Sequence, residues 1–515
     1  MKSLLFASSL TAALLGLGVR NASAAEPRTG DRAEDDEPLR DAAFRYTTPT
    51  SPNYLRAALE VAGVFGVGYL QYSLNTANSA DWDLGFDWPS MRSKLLFRSV
   101  TFDTNPFDTN WLTHPGAGYL YYQAARGNRL GIVPSFGYTV IASTLWEYVG
   151  EWREQVAIND LITTPMSGLV LGETTTQVGA LFHRSRPSVV TTALGWLFAP
   201  FASAHDAIDD LEPDRTGGFD DLGFPLDTFH RFDTAVRVGV TKQEEGSTYS
   251  DARFETGWRI VALPHYRTEG STGEWFDSGN VSSLALRFGE SGGDVVDIAL
   301  ETHVLLAGWY EQQVAPDARG DLAGSSTLAG FHVATEYGIH DYDRDRRRPE
   351  DRIALVGAGA TFEDGLYFAG LALRARLDAI ANFAGVTAYA LSDFSKAHDR
   401  GGLPTVLREE GYYHAVGATL TPSLELSRGR FDAGASARID WFESIDVLDR
   451  DETREGAPRT AADRRIAMAA SLGVSPGDHL RLSLSFERRD RSGIVGDVSS
   501  TRTEVGVYGG AGLRF

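Results

Sequence analysis

The chain contains no cysteine among its 515 residues, which removes thiol nucleophiles, Cys-ligated zinc, iron–sulfur clusters, c-type haem attachment and a lipoprotein anchor. It has no excess of positive charge either. Lys and Arg number 48 against 69 Asp and Glu, a formal net charge of −21, and nucleic-acid binding is excluded as a general role because that affinity depends on cations set against phosphates. Long apolar runs are scarce. The stretch from Leu4 to about Val19 falls short of the roughly 20 residues a spanning helix needs. It follows Lys2 and precedes Ala22-Ser23-Ala24, a small-x-small site, so residues 1–24 read as a secretory signal peptide. Walker A, GxGxxG, HExxH and GxSxG motifs are missing too, and no residue set specifies a cofactor, which stays unknown.

What remains divides into unlike parts. Residues 25–50 are polar, acidic and Pro-containing, with too little apolar surface to offset the entropy of ordering, and read as a flexible acidic leader. Residues 51–213 carry apolar positions at helical spacing, 214–228 read as a linker, and 229–515 alternate with period two. The last segment shows the alternation best: Thr503, Val505, Val507, Gly509, Ala511, Leu513 and Phe515 interleave with Arg502, Glu504, Gly506, Tyr508, Gly510, Gly512 and Arg514. Twelve such strands are expected, at about 231–242, 252–264, 281–290, 294–311, 327–340, 351–363, 366–380, 411–427, 431–441, 465–475, 480–487 and 503–515. Short links at Glu363-Asp364-Gly365, Ser427-Arg428-Gly429 and Ser475-Pro476-Gly477 alternate with long ones near 341–350, 381–410, 443–464 and 488–500. The even count, the alternating link lengths and the terminal Phe515 predict a transmembrane β-barrel in the outer membrane, behind a helical domain. The link near 265–280 is longer than a periplasmic turn should be.

One face of these strands holds charges of both signs, among them Arg253, Arg259, Glu301, Arg374, Asp378, Arg438 and Glu487. Mixed signs fit a packed, hydrogen-bonded lumen better than a selective pore, which uses a ring of one charge. His303 with Glu301 and His332 with Glu336 read as hydrogen-bonded lumen structure rather than metal ligands.

In the helical part, Asn110 to Arg126 predicts a first helix, about Pro134–Gln155 a second, a third opened near Thr164-Pro165, and about Pro187–Leu211 a fourth. Glu147 and Glu151 then stand at i and i+4 on one face. If that face is buried, the pair must share a proton, hold a cation, or meet Arg126 or Arg153. His114 and Asp160 could approach them, giving the parts of an acid–base site or an oxygen-rich metal site; helix caps and ion pairs within an apolar bundle are the alternative. The candidate catalytic residues are therefore His114, Glu147, Glu151 and Asp160, and a metal is left undetermined.

The stretches DTNWLTHPGAGYLYYQAARGN and WEYVGEWREQVAINDLITTPMSGLVLGE resemble a family of bacterial outer-membrane proteins that join a helical domain of unknown function to a C-terminal barrel. The matching positions include Asn110, His114, Pro115, Gly118, Arg126, Trp146, Glu147, Glu151, Asn159, Asp160, Pro165, Gly168 and Glu173. The resemblance implies the two-part architecture and supplies no activity. Two functions are expected on these grounds. One is a non-enzymatic envelope component, with a periplasmic or membrane-interfacial helical domain acting as plug, scaffold or narrow transport element. The other is a membrane-associated enzyme modifying lipid or lipopolysaccharide through the His/carboxylate cluster. Outer-membrane lipid, the barrel-assembly machinery during insertion and a periplasmic protein are the partners expected.

Overall fold

The computed structural model describes residues 42–76, 87–244, 248–340, 351–445 and 460–515; the signal-peptide and leader expectations lie outside them, apart from the leader's last residues. The period-two half forms the strands β3 (Phe229–Gln243), β4 (Thr248–Val261), β5 (Gly270–Phe276), β6 (Val281–Ser291), β7 (Asp294–Pro316), β8 (Leu322–His340), β9 (Asp351–Phe368), β10 (Leu371–Thr387), β11 (Tyr412–Arg428), β12 (Phe431–Ser444), β13 (Ala461–Val474), β14 (Leu480–Val495) and β15 (Val498–Arg514); β1 (Val100–Thr101) and β2 (Val156–Ala157) form a separate parallel pair in the helical half. Twelve of them, β3, β4 and β6 to β15, close an antiparallel ring through β15–β3 and β7–β8. A closed ring leaves no unpaired edge, which is what lets strands cross a membrane.

The expected long link after β4 has a structural cause. β5 pairs with β7 beyond the end of β6, from Gly270↔Val314 to Phe276↔Gly308, so β5 and β6 form one interrupted strand with a break at 277–280. Two links fall elsewhere than expected. The turn between β9 and β10 lies at Ala369-Gly370, both with positive φ (49° and 73°), and Glu363-Asp364-Gly365 is strand. That is the hairpin-turn geometry that matches strand twist, and at Ala369 it carries no composition signal. Residues 488–500 are no loop: β14 and β15 continue to a two-residue turn at Gly496-Asp497, their polar side chains paired as in Arg488–Asp490 (2.8 Å) and Thr503–Asp490 (2.7 Å).

The outward side chains of β11 to β15 and β3, among them Val236, Val238, Leu424, Phe431, Leu472, Leu484, Phe486 and Val507, are exposed and apolar, the surface a barrel turns to lipid. The inward ones form ion pairs between strands that are not neighbours: Arg259–Glu363 (2.6 Å), Arg465–Asp351 (2.9 Å), His340–Glu504 (2.7 Å), Arg253–Glu487 (2.8 Å) and Arg438–Glu336. His303 lies 3.8 Å from Glu336. At the end bearing the long connections, residues 388–411 fold inward through α8 (Leu391–Ala397) and α9 (Thr405–Glu409). Leu391, Phe394, Leu403 and Leu407 pack there on the lumen-facing Leu355, Ala384, Tyr413, Ala415 and Phe442.

The helical half comprises α1 (Tyr54–Thr76), α2 (Trp88–Leu95), α3 (His114–Gly127), α4 (Ile132–Leu145), α5 (Ile158–Arg184), α6 (Val189–Phe198) and α7 (Pro200–Ile208). Among the described residues no helix is long and apolar enough to cross a membrane. Three boundaries differ from expectation. The second helix stops at Leu145. The third starts at Ile158, so Pro165 lies inside it, and the fourth divides at Ala199-Pro200, where proline starts α7. The segment read as a linker is packed, with Phe224 buried and Arg184 bound to Asp227.

These helices sit on the outer wall of the barrel and do not enter its lumen. Tyr122, Leu169 and Val170 pack on Val304 and Val333; Phe102, Phe107 and Trp111 pack on Ala354, Val356, Phe383 and Tyr412. Each of these barrel residues alternates with a lumen-facing one. Lower on the same strands, beyond the helices, the outward Phe362, Leu366, Phe368 and Leu377 are exposed. At the opposite end of α5, Val178, Leu181 and Phe182 join Phe232, Trp258, Ile260 and Leu284. α5 thus runs along the wall from the loop end to the turn end.

Candidate functional site

The close approach of α3 and α5 is set by two glycines. A Cβ on Gly118 would lie 1.8 Å from the Thr164 carbonyl oxygen, and one on Gly168 would lie 2.5 Å from the Gly118 oxygen, so neither position accepts a side chain without separating the helices. This contact carries His114, at the start of α3, to Asp160, in the first turn of α5, with Nε2 and Oδ2 3.5 Å apart. Asp160 is 2% exposed; its Oδ1 accepts from Asn159 Nδ2 at 2.8 Å, and Ser143 Oγ donates to its backbone oxygen at 3.2 Å.

Two wide turns meet at this point. The His114 N–H bonds the Thr109 carbonyl and the Glu151 N–H bonds the Trp146 carbonyl at 3.0 Å, both five-residue spacings in place of the helical four. Such widened turns displace side chains from regular helical positions and occur often at functional sites. Glu147 and Glu151 are therefore not stacked on one α-helical face. Glu147, 1% exposed, accepts from the Ala157 N–H at 2.8 Å, while Glu151 accepts from Trp146 Nε1 at 2.8 Å.

Burial pushes the Glu147 carboxyl up to about 7, the Lys94 charge partly opposing the shift, and burial pushes Asp103 up to about 6. Glu151 is raised well above the ordinary range by burial and then by Glu147 and Glu154. The cation beside them is Lys94, which sequence reasoning missed, as it missed Asp103. Lys94 Nζ donates to the backbone oxygens of Glu147 and Glu151. Asp103 lies in the segment leading to α3; its N–H donates to Asn159 Oδ1 at 2.7 Å, and its backbone oxygen accepts from His414 of the barrel at 3.0 Å. Neither belongs to a periodic pattern, so only the fold brings them here.

Arg126, proposed from sequence as a partner of Glu147, is occupied elsewhere. It forms a bidentate pair with Glu173 (Nε–Oε2 2.8 Å, Nη2–Oε1 3.0 Å), both residues 0% exposed, and Tyr122 (2.7 Å) and Gln177 (2.7 Å) donate to the same carboxylate. That pair is structural and fully satisfied. The acid cluster by contrast has Lys94 as its cation. Glu147 and Asp160 are buried in it, while His114, its side chain 17% exposed, and Glu151 are part-buried. Among the described residues no group of three or more His, Asp or Glu side chains is disposed to hold a metal ion.

Residues 99–201, which contain α3 to α6 and the histidine and carboxylates of this cluster but not Lys94, match the family described as "Domain of unknown function (DUF3943)". The helical half carries a DUF3943 domain. A search of curated proteins finds no match. Among solved structures, the translocator domain of autotransporter NalP from Neisseria meningitidis aligns at 13% identity over 56% of this chain and 88% of its own, with a TM-score of 0.21. A Pseudomonas aeruginosa FadL homologue aligns at 10% identity over 57% and 91%, with a TM-score of 0.25. Both are barrels, and overlaps this loose carry no argument about function. The outer-membrane assignment stands on the closed ring of twelve strands and its apolar outer wall.

Proposed function

We propose that this protein is a non-conducting outer-membrane envelope component, a barrel that anchors the DUF3943 domain against its outer wall as a scaffold facing lipid. The observation that carries this reading is the cap. The inward fold of 388–411 places Leu391, Phe394, Leu403 and Leu407 across the loop end of the lumen, above ion pairs that bridge it from strand to strand. The apolar stripe of α1, with Leu55, Leu59, Val67, Leu70 and Leu74 exposed, supports a lipid-facing helical surface at the membrane. Purified full-length chain in planar bilayers tests this. No steady conductance is expected, and removal of residues 391–409 should produce open steps; steady conductance by the intact protein would refute the reading.

A second reading is favoured by the cluster of His114, Glu147, Glu151 and Asp160 beside two widened turns, where Lys94 is the cation. In it the domain modifies lipid or lipopolysaccharide, with Glu147, poised near neutrality, moving a proton and His114 oriented by Asp160. Mass spectrometry of envelope lipids from cells carrying His114→Gln or Asp160→Asn, compared with wild type, checks it. A lipid species that disappears in both variants while the barrel still inserts supports the enzyme; identical lipid profiles count against it.

A further inference from the structure

The cap closes one end of the lumen only. From the turn end a cavity of about 860 Å³ enters the barrel and adjoins a second of about 520 Å³ deeper in. In a chain of net charge −21, eleven arginines against eight carboxylates line these two spaces among the described residues. Most of the arginines are neutralised. Arg231 and Arg514 hold Asp233 (2.6 Å each), Arg237 holds Glu255 (3.1 Å), and Arg374 holds Glu425 (3.2 Å).

Arg267 lines both cavities and is different. Among the described residues no carboxylate lies within ion-pair distance of its guanidinium, and its buried Nε has no hydrogen-bond partner. Its contacts are aromatic faces, Phe229 at 4.9 Å and Tyr266 at 5.4 Å from ring centroid to Cζ. The nearby carboxylates are already engaged: Glu363 by Arg259 (2.6 Å) and the Tyr266 hydroxyl (2.6 Å), Glu425 by Arg374.

The backbone that presents Arg267 is constrained. It lies in the strap between β4 and β5, where His265 (φ 55°) and Arg267 (φ 62°) both occupy the left-handed region that side-chain-bearing residues avoid. Gln312 clamps this conformation by donating to the His265 oxygen at 2.8 Å and the Thr268 oxygen at 2.9 Å, and Tyr310 fixes Gln312 through a 2.6 Å bond. A strained strap that turns an unneutralised arginine into a cavity is a built feature, since strain persists where the surroundings over-determine it and concentrates at ligand sites.

We infer that this vestibule binds a phosphate-bearing ligand entering from the turn end, with Arg267 as its anchor and Arg374 and Arg231 beside it. A planar guanidinium stacked on aromatic rings keeps its outward N–H groups for a bidentate oxyanion, and an arginine without a protein carboxylate is the one an incoming anion can neutralise. The site is independent of whether the DUF3943 domain is a scaffold or an enzyme, because it needs only the open end of the lumen. The ligand could be a soluble phosphate ester or the headgroup of a lipid, and the chemistry is shared.

Calorimetric titration of the detergent-solubilised full chain with glucose 1-phosphate, and in parallel with short-chain phosphatidic acid, tests this at low ionic strength. Saturable binding of at least one probe is expected, weakened about tenfold or more by Arg267→Gln and less by Arg267→Lys. Binding of the sugar phosphate alone identifies a soluble ligand, and binding of the lipid alone a headgroup. Heat-modifiable gel mobility confirms that each variant barrel is folded; if Arg267→Gln does not fold, Gln312→Ala, which releases the strap, should show the same loss. No binding of either probe at millimolar concentration, or binding unchanged in the folded variants, overturns the inference.

Discussion

The buried charges of the DUF3943 domain fall into two kinds with opposite consequences. Arg126 and Glu173 satisfy one another in a fully enclosed bidentate pair. Removing one partner leaves an uncompensated charge, so Glu173→Gln or Arg126→Met should cost about 3–5 kcal/mol, read as a fall in the thermal midpoint of the helical circular-dichroism signal. Glu147 is a buried acid whose native pKa is raised to about 7. Its protonated form is favoured in the folded state, so its contribution to stability is fully present below the unfolded value near 4.5 and is lost as pH rises through about 7. Wild type should therefore lose stability between pH 4.5 and 7, and Glu147→Gln, which cannot ionise, should flatten that part of the curve. An equal slope in the variant would show that another group titrates. Asp103, raised to about 6, adds to the same trend and is separable by Asp103→Asn.

At the scale of elements, the α3–α5 crossing governs both the cluster and the seat of the domain on the barrel. Gly118→Ala forces a methyl group against the Thr164 carbonyl, and overpacking of this kind costs about 1–3 kcal/mol. Faster hydrogen exchange in the first turns of α3 and α5, with the barrel unaffected, is the expected readout. A Cβ at Gly385 would lie 2.1 Å from Trp111 Nε1, so Gly385→Val should lift the α3 end of the domain from the wall and raise exchange in residues 102–113. The sequence carried the strands well because period two survives wherever lumen and lipid differ, as along β12 to β15. It carried them poorly where both faces are covered. Ile353–Ala360 and Phe383–Ala390 are nearly continuous apolar runs because the cap packs on one face and the helices on the other. Such runs were the available sign of a second buried face, and residues 381–387 read instead as loop. The site was legible as residue types: His114, Glu147, Glu151 and Asp160 could be named, whereas Gly118 and Gly168 stood only as positions matching the family, with no crossing read from them. Lys94, Asp103 and the widened turns could not be read, since a five-residue turn leaves no periodic trace and Lys94 lies in a short helix of mixed polarity.

For the whole molecule, the architecture is a barrel closed at one end, open at the other, and flanked on its outer wall by a helical domain with a polar interior. The helices leave the lumen to its own ion pairs and to the cap, so the lumen and the DUF3943 domain are physically separate. The absence of cysteine permits a direct test of this placement, because introduced pairs report without background. Leu169 of α5 packs in one cluster with Val333, which faces outward from β8, while the adjacent His332 faces the lumen. Oxidative cross-linking of Leu169→Cys with Val333→Cys, and of Leu169→Cys with His332→Cys, should be measured in outer-membrane preparations of the full chain. A disulfide in the first pair and none in the second is expected for a domain on the outer wall; a disulfide with position 332 and none with position 333 would place the helix in the lumen and contradict the account.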